Sequence, residues 1–88
     1  MIQLFVTGMS RASTEAVSLV RRICEERLAG RYELEVIDIY QARDRARESH
    51  IVAAPTLVRR WPLPVRRFVG NLSSRARVLR ALDLEGWP

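Results

Sequence analysis

A mixed α/β (α+β) fold with the element order β-α-β-α-β-β-α is predicted by three features of the 88 residues. Two β-rich runs, IQLFVT at 2–7 and YELEVIDIY at 32–40, bracket a stretch with helical apolar spacing. A strand, a helix and a second strand in that order form a βαβ unit, so the two strands are expected to run parallel. Beyond His50 the apolar residues come in short pieces broken by prolines. Such pieces predict an antiparallel hairpin at a sheet edge, where proline is tolerated.

Each element follows from local chemistry. Residues 2–7 are rich in β-formers and stop at Gly8, as a buried strand does. Ser13 is the expected N-cap of a helix running to about Leu28, with Ala16, Val17, Val20, Ile23, Cys24 and Leu28 on one face. Arg21, Arg22, Glu25 and Glu26 fall mainly outside that face and should be solvated, and Gly30 closes the helix. The run 32–40 begins with strict alternation and turns nearly continuously apolar. QARDRARESH at 41–50 is polar, lacks Gly and Pro, and predicts a short exposed helix or turn. Residues 56–60 and 65–69 are the two arms of the hairpin around WPLP. Ser73 or Ser74 caps a last helix carrying Val78, Leu79 and Leu82, with Gly86 near its end. The summed order is the thioredoxin-like plan, which places a cis-proline at the start of its third strand; Pro55 stands there.

Composition narrows the function. One domain with one core is expected at this length, and self-association would help a chain so small. An apolar content of 48% argues against disorder. No apolar run is long enough to span a bilayer, and MIQLFVTG lacks a basic flank, so neither a membrane segment nor a signal peptide is read. A lone cysteine, Cys24, excludes an internal disulfide and makes a cytoplasmic setting the default. The net charge is +5 and all 15 basic residues are arginine. GC-rich coding explains that bias, and arginine also suits forked recognition of carboxylates and phosphates.

No catalytic constellation is visible. A thioredoxin-type redox enzyme needs a thiolate at the N-terminus of the first helix, where dipole and amides lower its pKa. Residues 8–11 read GMSR instead. Cys24 reads as a small buried hydrophobe. His50, the one histidine, reads as a solvated loop residue, and one His with one Cys makes no closed zinc site. Asp38 is expected at a strand end, hydrogen-bonded or wet. No cofactor or metal is expected. The arginines Arg59, Arg60, Arg66 and Arg67 flank the proline turn, so same-face members of the two arms should lie near each other. They form either a solvated edge that blocks unwanted strand pairing or an anion-recognising patch. Nucleic acid would bring more exposed aromatics than the nearby Trp61.

The segment APTLVRRWPLPVRRFVGNLSSRARVLRALDL resembles the KaiB family of circadian clock proteins, in its PTL, PLPVRR, GNLS and LDL motifs. LFVTG and VIDI in the first half agree, and the match runs without gaps from about Leu4 to Leu84. The resemblance implies a non-enzymatic regulator that binds the ATPase ring protein KaiC or a KaiC-like homologue, in a circadian clock or, for a non-cyanobacterial member, in related stress or metabolic regulation. It also implies competition with the histidine kinase SasA, and a possible KaiA-like partner. Arg59, Arg66, Arg67 and His50 are the partner-binding residues it points to. Where this chain has Glu15, Glu35 and His50, cyanobacterial members tend to be basic. The family is metamorphic: a homo-oligomeric ground state, dimer or tetramer, shares the first βαβ half and arranges the rest differently. Pro55, Pro62, Pro64, Gly70 and Asn71 are the fold-switch positions this implies, with Gly70 and Asn71 as a hinge. The competing readings are a degenerate thioredoxin-like protein that binds glutathione, a sensory input module of the same fold, and a small nucleic-acid binder.

Overall fold

A computed structural model describes residues 1–8, 10–51, 53–61, 63–70, 72–82 and 84. Its elements are β1 (Ile2–Val6), α1 (Arg11–Leu28), β2 (Leu34–Asp38), α2 (Arg43–Glu48), β3 (Thr56–Arg59), β4 (Arg66–Val69) and α3 (Arg75–Ala81). The predicted order holds throughout. The strands form one sheet in the order β2-β1-β3-β4, with β1 and β2 parallel and the other neighbours antiparallel. This is the thioredoxin-like arrangement.

Strand alternation divides the side chains between two unequal layers. Ile2, Leu4 and Val6 of β1 point to the same face as Leu57, and α1 and α3 close that face with Ala16, Val20, Ile23, Cys24, Val78 and Leu82. The opposite face is thinner. There Phe5 packs with Ile37 and Val58, and Ile39, Ala42 and Ile51 border the group. Of α2 itself only Ala46 is buried.

Local hydrogen bonds correct the start of the first helix and the extent of the second strand. Ser10, not Ser13, caps α1: its hydroxyl accepts from the Ser13 amide at 3.2 Å. The helix begins earlier because Arg11 and Ala12 are good helix formers. Ser13 is buried within the first turn, and its hydroxyl accepts from the Thr7 amide at 2.9 Å. The second strand is shorter at both ends than 32–40. It stops at Asp38 because that carboxylate accepts from the Tyr40 amide at 2.9 Å and starts a turn. Gly30, with φ +75°, follows the α1 C-cap Ala29 as expected. Ser74 caps α3 through the Arg77 amide. Gly86, predicted near the end of that helix, lies outside the described residues.

The Ala54–Pro55 bond, at the place where the thioredoxin-like plan usually has a cis-proline, is cis, and Leu63–Pro64 is cis as well. Gly70 leaves β4 at φ +133°, a conformation that L side chains rarely adopt. Pro62 and Asn71, the other two proposed switch positions, lie outside the described residues.

Candidate partner-binding face

The hairpin register decides where the arginines go. Arg59 stands opposite Arg66, and Val58 opposite Arg67. Arg59 and Arg66 therefore share the α1/α3 side with Leu57, whereas Arg67 shares the α2 side with Val58. The sequence reading puts Arg59 on a partner-facing surface, but in this arrangement it is only 8% exposed. Its guanidinium turns back on the hairpin and donates to the Pro64 carbonyl at 3.2 Å. Arg59 thus shapes the hairpin from within. Arg66 is exposed and borders a shallow groove between β4 and α3, together with Arg67, Phe68, Arg80 and Ala81.

Arg67 and His50 are brought together. Arg67, exposed on β4, donates to the Ser49 carbonyl and, at 3.4 Å, to the His50 carbonyl. His50 leaves the C-terminal end of α2 at φ +56° and is exposed. The two residues are 17 positions apart in sequence, so only the fold creates this corner. Apolar side chains lie along the same strand and the hairpin tip: Trp61, Leu63, Val65 and Val69 are all exposed. By alternation, Val65, Arg67 and Val69 point to one side of β4. A cationic group between apolar neighbours suits a protein surface that offers carboxylates within a hydrophobic setting.

The acidic positions within this frame are paired. Glu15 meets Arg11 at 3.0 Å, and Glu35 takes two bonds from Arg45, one of them at 2.7 Å. Arg45 chiefly, with Gln3 assisting, holds the Glu35 carboxyl down at about 2, below its ordinary 4.5. This pair steadies the fold above pH 4.5, and its contribution is lost as pH falls toward 2. Both side chains remain partly exposed, so solvent screening keeps the contribution within roughly 1 kcal/mol. Glu35→Gln should therefore flatten the acid limb of a stability–pH curve while changing stability at pH 7 by no more than that amount. Urea titrations between pH 2 and 7 would check it.

Enzymatic alternatives find little here. Cys24 is fully buried on α1, and burial first, then the Glu25 charge, pushes its thiol up to about 11. Such a thiol is protonated near neutral pH and is no nucleophile. Asp38 is engaged at a strand end, as predicted. Among the described residues no group of three or more His, Cys, Asp or Glu could hold a metal ion.

One buried polar link escaped the sequence reading. Gln3 is polar yet buried in the central strand, and Arg60 and Ser49 connect to it. The available signal was a lone glutamine inside an otherwise β-rich, apolar run.

Fold and site together define a thioredoxin-like domain that lacks the thiol of the redox enzymes and carries a mixed basic and apolar hairpin face. The chain belongs to the KaiB family: residues 3–84 match the KaiB domain. It is 37% identical to the circadian clock protein KaiB3 of Synechocystis sp. over 83 residues, covering 94% of this chain and 81% of the relative. Identity to the circadian clock oscillator protein KaiB of Synechococcus elongatus is 42% with the same coverage. The corresponding protein of Nostoc punctiforme is 41% identical, over 94% of this chain and 80% of its own length.

Proposed function

We propose that this chain is a non-enzymatic clock-type regulator that acts as one KaiB-like domain by binding a KaiC-like ATPase ring. Arg67 and His50 form the centre of the contact, with Arg66 extending it on the other side of the same edge strand and Arg59 holding the hairpin in shape. The observation that carries the reading is the Arg67–His50 corner within a chain that matches the KaiB domain over residues 3–84. A KaiA-like protein or a SasA-like histidine kinase is a further partner class. A cytoplasmic location is part of the same reading; among the described residues no helix is long and apolar enough to cross a membrane. The test is co-elution of the purified chain with a KaiC-like ring from the same genome, with and without ATP. Absence of a complex in either state would overturn the reading.

The proposal includes a second arrangement of the C-terminal half, favoured in a homo-oligomer, with the thioredoxin-like form as the binding form. Two packings of one sequence need differ by only a few kcal/mol. Gly70 gives the exchange a sign. A Cβ there would meet no atom within 4 Å, yet φ +133° is strained for alanine. Gly70→Ala should thus cost the thioredoxin-like form about 1 kcal/mol or more and move the population away from it. Size-exclusion chromatography with NMR peak counting would detect the shift; an unchanged distribution would remove Gly70 from the hinge.

A further inference from the structure

A chain of polar side chains crosses the α2 side of the sheet and ends at the proposed binding corner. Arg45 on α2 holds Glu35 on β2. Glu35 accepts from the Gln3 amide nitrogen at 3.2 Å. The Gln3 amide oxygen accepts from Arg60 Nε at 2.6 Å, and Arg60 also donates to the Ser49 hydroxyl at 2.7 Å. Ser49 in turn offers its backbone carbonyl to Arg67. The chain therefore links β2, β1, the residue that follows β3, and β4, and it involves α2 through Arg45 and through Ser49 just beyond that helix.

Gln3 has the one side-chain polarity this path requires. It needs a donor toward an anion and an acceptor toward a cation, and a neutral amide supplies both. A carboxylate at position 3 would face Glu35 with like charge, and an aliphatic side chain would strip both neighbours of a partner. Its burial, at 7% exposure, removes competing water. The helix it anchors has little else to hold it, since Ala46 is its one buried residue.

We infer that the Arg45–Glu35–Gln3–Arg60 relay is a positioning device that fixes the Ser49–His50 turn so that Arg67 and His50 are presented together to the partner. The partner-binding part of this inference rests on the reading above; the positioning part does not. Gln3→Leu tests it, because leucine matches the volume and suits a buried strand. Native-state hydrogen exchange should accelerate roughly tenfold at the His50 and Ile51 amides, which bond to Arg47 and Ala46 carbonyls, while core strand amides stay protected. The Arg60 Nε proton signal should broaden or disappear. Affinity for the KaiC-like ring should fall about 3- to 10-fold, and the loss should not add to that of Arg67→Glu, since both act on one turn. Unchanged exchange at His50 and Ile51, or a loss fully additive with Arg67→Glu, would overturn the inference. Should Gln3→Leu not fold, Arg60→Met removes the same link from a half-buried position and is read in the same way. Accelerated exchange with no ring binding by the wild-type chain would refute the partner and support the positioning role.

Discussion

Arg67→Glu should weaken binding to a KaiC-like ring by about 2 kcal/mol or more, roughly a thirtyfold loss, with the domain still folded. Two effects combine. Reversal removes the cation that an acidic partner surface would meet. It also sets a carboxylate against the Ser49 and His50 carbonyls that Arg67 now satisfies, so the turn carrying His50 is pushed away. Because Arg67 is exposed on an edge strand, the cost to stability should stay near that of a surface substitution. Arg67→Lys makes a useful contrast: it keeps the charge but loses the planar fork that reaches two carbonyls, so an intermediate loss is expected. Titrations of the three proteins against the ring, beside their urea midpoints, would separate binding from folding. Wild-type affinity for Arg67→Glu would exclude the corner from the interface.

Phe5→Ala should destabilise the chain by about 3–5 kcal/mol. Phe5 has no exposed surface and lies on the central strand, where it joins Ile37 and Val58 in the smaller of the two apolar layers. That layer has few other large residues with which to fill the void. A domain of this size has a total stability of only about 4–13 kcal/mol, so the substitution should remove much of it. The region around α2 should loosen first, because Ala42 and Ile51 on either side of it rest against this cluster. Equilibrium urea unfolding followed by far-ultraviolet circular dichroism would check the magnitude. A loss below about 1 kcal/mol would mean that the layer closes over the gap, contrary to the packing described.

Much of this organisation was legible in the residues themselves. The β-rich runs, the 18-residue helix and the proline-broken hairpin announced their types and order, because period and propensity are local properties. Boundaries were less legible. Ser10 and Ser13 are both good capping residues, and which one caps depends on where the chain leaves β1. The candidate site was half legible. Arg66, Arg67 and His50 are exposed, whereas Arg59 in the same cationic cluster is buried against Pro64. An Arg-Arg pair cannot show by itself which member turns inward.

The sequence alone determined the class of fold, the absence of a thiol at the head of the first helix, and the family. These depend on residue identity and on spacing along the chain. Tertiary structure alone decided that Arg67 meets the turn at His50, that Arg59 is withdrawn, and that Gln3 bridges an anion to a cation. Strand register sets which side of the sheet a residue occupies, and a shift of one position would exchange every one of those assignments.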